Sequence, residues 1–250
     1  MSWDDADLER SPVPLWFQIA ERLREAVERG EFGPGDALPS ESALNRRFGI
    51  SRTTARAALD HLEHDGLVSR RSGKGSIVLP PRVDQPLNLL ASFAEDMKAR
   101  GLVPSYRSQS VTSARVSSEV ATALGIRPGS KAIAVDRLLL ADGEPLAHSL
   151  AWLAPDVVAA RKPPPAKVLE QTSLYQWIEN EAGVRIALGE EYIEAATASP
   201  ALSSLLEIAP GDPVLRARRL SRSIDGRPVE YVVTCYRADR YRFRIELVRP

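Results

Sequence analysis

The sequence predicts a two-domain protein of mixed class: an N-terminal domain that is mainly α with a small β appendage, and a larger C-terminal α+β domain whose largely antiparallel sheet arises by internal duplication. Three observations carry this prediction. Apolar residues recur at helical spacing before residue 80, the stretch Pro80-Pro81-Arg82-Val83-Asp84-Gln85-Pro86 breaks all periodicity, and the chain beyond it repeats itself. A length of 250 residues also exceeds the usual single domain. The expected boundaries are 11–79, a semi-rigid linker over 80–87 with neither helix nor strand, and 88–250.

A first helix is expected over about 14–29. Pro14 suits a first turn, Leu15, Ile19, Leu23, Ala26 and Val27 form one stripe, and Gly30 ends it. Ser40 and Glu41 read as the N-cap and first-turn acid of a short second helix through Leu44 and Phe48, closed by Gly49. Ser51 caps a third, in which Ala55, Ala58, Leu59 and Leu62 share one face while Arg52, Thr53 and Arg56 project from another. Only Phe48-Gly49-Ile50 separates these two helices. That is the spacing of a helix-turn-helix, whose second helix enters the DNA major groove by its N-terminal end. Arginine there suits a guanine edge, and threonine a phosphate or a thymine methyl. Strands at 67–71 and 76–79, joined by Ser72-Gly73-Lys74-Gly75, add a wing. Across 46–75 the cations Arg46, Arg47, Arg52, Arg56, Arg70, Arg71 and Lys74 oppose only Asp60, Glu63 and Asp65, a local basic excess within a chain of zero formal net charge.

Beyond residue 87 the repeat aligns Gly101 with Gly183, Ser117 with Ser199, Pro128-Gly129 with Pro210-Gly211, and Arg137-Leu138 with Arg219-Leu220, all at an offset of 82. One inserted residue later, Asp142-Gly143 meets Asp225-Gly226. Each half reads as helix, strand, short helix and a hairpin turned by Asp-Gly. Helices are expected at 92–100, 117–124, 174–182 and 199–206. Strands are expected at 104–115, 131–141, 145–154, 185–197, 213–224 and 227–237. Two such units packed face to face or edge to edge leave a pocket at their seam.

Composition narrows the remaining choices. No apolar run approaches the roughly 20 residues that span a bilayer, and the acidic start Met1-Ser2-Trp3-Asp4-Asp5 is unlike a signal peptide, so a cytoplasmic protein is expected. The single cysteine, Cys235, in an apolar β-branched run, reads as a buried, inert thiol. His61 and His64 have metal-compatible spacing, but nothing nearby completes a coordination set, so neither a metal nor another cofactor is expected.

Pro14-Leu15, Leu38-Pro39-Ser40-Glu41, Ser51 through Arg56, Leu62 through Val68 and Gly73-Lys74-Gly75 together resemble the GntR family of transcriptional regulators. The resemblance implies DNA contacts from Ser40, Ser51, Arg52, Thr53, Thr54, Arg56 and Arg71 and from Gly73 and Lys74 in the wing. Ser42 stands where the family often has arginine. The second half resembles the UTRA sensor domain of the family's HutC-type branch, with a chorismate lyase-like fold, at Ser92 through Met97, Arg100-Gly101-Leu102, Arg137-Leu138, Pro228 through Tyr231 and Tyr236 through Phe243. This implies effector contacts from Ser92, Phe93, Arg137, Ser149, Ser173, Tyr175, Glu230 and Tyr236. Relatives that sense phosphosugars carry a second strand arginine, and here that position is Leu139. Ser92 and Ser173 open helices, where free N–H groups and the dipole favour an anion. The effector expected is a phosphosugar, an amino sugar or a carboxylate.

The same residues also admit plainer readings: Ser92 and Ser173 as caps, Arg137 pairing with Glu144 or Glu230, Tyr236 as a core aromatic. His148 and Ser149 alternate along a strand, so only one faces the pocket. The resemblance favours Ser149. The function expected is a homodimeric repressor that binds a pseudo-palindromic operator and is released by its effector. Two alternatives stand beside it. The second half could serve dimerisation alone, or it could be an enzyme on its chorismate lyase-like fold, although no nucleophile elbow, phosphate loop or HExxH motif is present.

Overall fold

Leu15, Ile19, Leu23 and Ala26 give the chain its first apolar stripe, and they coil into α1 (Leu15–Glu28), with Pro14 at the N-cap position and Ile19, Ala20, Leu23 and Ala26 buried. The structure, a computed structural model, describes residues 3–247 except 6, 9–11, 72–74, 81, 87–88, 160–162 and 246. It forms two units, residues 1–83 and 84–250.

In the first unit α2 (Glu41–Phe48) begins where Ser40 Oγ accepts from the Ala43 N–H at 3.2 Å. It ends at Gly49, whose φ of 64° is the left-handed value that glycine adopts without steric cost. α3 (Arg52–His64) follows, with Ser51 Oγ capping the Thr54 N–H at 3.1 Å. β1 (Val68–Arg71) and β2 (Gly75–Val78) pair antiparallel, Val68 opposite Val78. Ile19, Leu23, Leu44, Leu59 and Leu62, none more than 2 % exposed, hold the three helices and the hairpin around one core.

The second unit is built on a six-stranded sheet. In chain order it contains α4 (Phe93–Ala99), β4 (Pro104–Arg115), α5 (Ser118–Leu124), β5 (Lys131–Ala141) and β6 (Glu144–Leu153). Next come α6 (Pro155–Val158), α7 (Ala166–Leu169) and α8 (Leu174–Asn180), then β7 (Ile186–Thr197), α9 (Pro200–Leu206), β8 (Pro213–Ser223) and β9 (Pro228–Arg237). The sheet order is β4-β5-β6-β9-β8-β7, antiparallel throughout. The three strands of each half are therefore adjacent, and the halves meet edge to edge where β6 pairs with β9. The β5–β6 hairpin turns on Asp142 and Gly143, with φ of 51° and 82°, the two left-handed residues of the tight turn that matches strand twist. The β8–β9 hairpin loop is two residues longer, and among its residues only Gly226 has positive φ, 81°. α5 lies against β9 and α9 against β6, so each half's short helix covers the other half's inner strand.

The expectation of a structureless linker is corrected. Val83–Pro86 form a strand, β3, that pairs with β10 (Tyr241–Arg244), a four-residue strand that follows β9. Tyr241 Oη donates to Gln85 Oε1 at 2.8 Å, and Arg242 pairs with Asp84. The partner lies more than 150 residues away, so no local pattern announces it. The short helices α6 and α7 were likewise not expected. Cys235 is half-buried rather than buried, and desolvation pushes its thiol pKa upward, away from reactivity.

Candidate functional site

Two sites emerge, one in each unit. In the first, the N-terminal turn of α3 stands beside α2 and β2. Arg52 and Thr53 are exposed there, and the Arg56 side chain is 63 % exposed. Ser40 and Ser51 both spend their oxygen on helix caps, and Thr54 Oγ1 lies 2.8 Å from Ser51 Oγ, so its hydroxyl serves the cap as well. One acid organises the cations. Glu41 accepts from Arg56 at 3.0 and 3.2 Å and from Arg70 at 2.7 Å, and these arginines hold its carboxyl below the usual range. The basic excess read from the sequence is therefore partly neutralised inside the unit, since Arg70 also pairs with Asp60 and Arg47 with Asp7. Exposed pairs of this kind are worth ~0–1 kcal/mol, little enough for a phosphate or a base edge to replace them. Gly73 and Lys74 lie outside the described residues. Arg71 ends β1 opposite Gly75.

The second site is a cavity on the sheet of the second unit. The sheet register builds it: Arg137 on β5 lies opposite Ser149 on β6, which lies opposite Thr234 on β9. Glu230 on β9 lies opposite Ser221 on β8, and Arg219 on β8 lies opposite Glu191 on β7. Strand alternation sends these side chains to one face, where Ser92 and Phe93 from α4 and Ser173 and Tyr175 from α8 complete the wall. All eight residues expected to contact an effector line this one cavity, and Leu139 lines it too. His148 points the other way, to Asp136 at 2.7 Å.

Ser92 and Ser173 satisfy both of their readings. Each caps its helix, accepting from Glu95 N at 3.3 Å and Gln176 N at 3.1 Å, and each lines the cavity. At the first helix end Glu95 Oε2 also accepts from Ser92 N at 2.7 Å, which completes a capping box. Tyr236 is a stacked aromatic, its ring 4.1 Å from that of Tyr241, and a cavity residue as well.

The electrostatics are uneven. Arg137 is 6 % exposed and has no ion pair among the described residues, and its Nη1 has no hydrogen-bond partner. Its guanidinium lies 4.8 Å over the Tyr106 ring. Burial pushes its pKa down, and Tyr106 and Glu230 offset only part of that. Glu230, 3 % exposed, accepts from Ser221 Oγ at 3.2 Å, and Ser221 in turn lies 2.8 Å from Tyr175 Oη. Burial pushes the Glu230 carboxyl up despite both arginines, and pushes the Tyr175 phenol to about 12.

Reading the sequence missed Arg219, Glu191, Tyr106 and Thr234 as cavity residues. The signal for Arg219 was available, since the repeat aligns it with Arg137.

Residues 17–78 match the model described as bacterial regulatory proteins, gntR family, and residues 99–242 match the UTRA domain. The chain belongs to the GntR family. NagR of Bacillus subtilis, named an HTH-type transcriptional repressor, is 33 % identical over 234 residues, covering 94 % of this chain and 95 % of that one. MngR of Escherichia coli, named a mannosyl-D-glycerate transport/metabolism system repressor, is 31 % identical over 232 residues, covering 93 % and 95 %. The crystal structure of PhnF from Mycobacterium smegmatis shares the fold, with a TM-score of 0.62 at 24 % identity over 92 % of this chain and 98 % of that one. This GntR-family protein is a DNA-binding transcriptional regulator with a UTRA effector domain, and its relatives are regulators rather than enzymes. Among the described residues no helix is long and apolar enough to cross a membrane.

Proposed function

We propose that this regulator is a homodimeric repressor that binds a pseudo-palindromic operator through Arg52, Thr53 and Arg56 and releases it when a small metabolite bearing an acidic group enters the cavity of the second unit. The observation that carries the effector reading is Arg137, a buried cation without an ion pair or a partner for Nη1 among the described residues. Leaving such a group unmatched is costly, and an incoming anion relieves the cost. Glu230 and Tyr175 then accept and donate to hydroxyl or amine groups of the same ligand, and Ser92, Phe93, Ser149, Ser173 and Tyr236 shape the wall around it. Repression is supported by the names of NagR, MngR and the histidine utilization repressor of Pseudomonas putida, the last 29 % identical over 245 residues.

Operator gel shifts on the full-length protein test both halves. Arg52→Ala or Arg56→Ala should weaken specific binding about 10- to 100-fold, the value of one good base contact. Arg137→Ala and Glu230→Ala should leave operator affinity unchanged and abolish release by metabolite extracts. Unchanged operator affinity in both recognition-helix variants would sink the docking scheme.

A further inference from the structure

The charges around the cavity go beyond the presence of an anion and specify how many negative charges it carries. The cavity is lined by two arginines, Arg137 and Arg219, and by three acids, Asp96, Glu191 and Glu230. Asp96 is matched outside the cavity, by Arg100 at 2.9 Å. Arg219 is matched in part within it: Glu191 lies 3.9 Å away, and Tyr175, Glu191 and Glu230 together hold its guanidinium firmly charged against burial, although its Nε has no hydrogen-bond partner among the described residues. Arg137 is left, close enough to Glu230 to share its field but with no acid in ion-pair range among the described residues. Two residues further along β5, where an arginine would place a second guanidinium against the same anion, stands Leu139, apolar and 4 % exposed.

Arg137 and Arg219 both act on Glu230, but they reach it from opposite sides of the sheet's centre. Three strand intervals, β5 to β6 to β9 to β8, separate their strands, a span of ~14 Å at the usual spacing. Each guanidinium is also drawn to its own side, Arg137 over Tyr106 and Arg219 over Tyr175 at 5.5 Å.

We infer that the effector carries a single negative charge, a carboxylate seated on Arg137, and that the site discriminates against phosphate dianions, with the Arg219–Glu191 pair reading a neutral polar part of the same molecule. The inference rests on the effector reading of the cavity given above. Physically, one buried guanidinium balances a carboxylate, whereas a dianion brings a second negative charge into a site bordered by Glu230 and walled by Leu139, where the other guanidinium lining the cavity, Arg219, already faces Glu191.

Thermal shift of the full chain at pH 8 with acetate and with methyl phosphate, at equal ionic strength, tests the charge rule without knowledge of the natural effector. At that pH acetate carries one negative charge and a phosphate monoester nearly two. Arg137→Met is measured in parallel, and its response is subtracted to remove general salt effects. The expected result is an Arg137-dependent rise in melting temperature with acetate that is at least twice that with methyl phosphate. An Arg137-dependent response to methyl phosphate as large as that to acetate overturns the charge rule and leaves the effector site standing. No Arg137-dependent response to either anion overturns both readings. Leu139→Arg, which supplies the missing guanidinium, should reverse the preference; if that variant does not fold, the comparison of wild type with Arg137→Met remains decisive.

Discussion

At the level of single residues, the two sites share a device: charged groups held by partners that a ligand can replace. In the DNA-facing unit Glu41 holds Arg56 and Arg70. Its depressed carboxyl pKa means that the stability it contributes is present above the ordinary glutamate range and is lost as pH falls through its folded value. Glu41→Gln should therefore cost under about 1 kcal/mol of stability, in keeping with an exposed pair, while changing operator affinity measurably in gel shifts because both arginines lose their common anchor. Glu230 has the opposite sign. Burial raises its pKa, so its ionisation disfavours folding, and the loss of stability grows as pH rises above the usual glutamate range. Glu230→Gln should melt higher than wild type at pH 7, and the gap should close at pH 4; a lower melting temperature at pH 7 would show that its attraction to the arginines outweighs desolvation. The residues that the sequence revealed at this scale are those with a repeat or family position behind them. Glu191 and Tyr106 carried no such mark, because only the strand register brings them to the cavity.

For elements, legibility followed locality. Ser40, Ser51, Ser92, Ser117, Ser173 and Ser199 each accept a backbone N–H at the start of a helix, and each start could be read from a few adjacent residues. Ser51→Ala should cost about 1 kcal/mol and weaken operator binding with it, since the capped turn carries Arg52 and Thr53. The six long strands declared themselves by their extent and their turn residues. The strand at 83–86 did not, because it ends on a proline and its partner sits at 241–244. Helix α3 depends on its apolar face more than on its caps. Leu62→Ala, at a fully buried position, should cost 2–5 kcal/mol by the usual range for such truncations, read as a lower denaturant midpoint for the first unit.

For the whole molecule, the two units have separate cores, one around Ile19, Leu44 and Leu62 and one around Val135, Leu153 and Ile178. Calorimetry should thus resolve a transition for each unit, and an effector should raise only that of the second, by about 2.7 kcal/mol at a hundredfold excess over its dissociation constant. The order of strands in the sheet has a further consequence for the living cell. β9 lies at the centre, between β6 and β8, yet it is the last of the six to be made, and it brings Glu230, Thr234 and Tyr236 to the cavity. A nascent chain leaving the ribosome therefore completes its DNA-reading helices some 150 residues before it owns a site for its signal. Polypeptides shortened before β9 would lack Glu230, Thr234 and Tyr236, and such truncations should lose the response to inducer in a reporter assay.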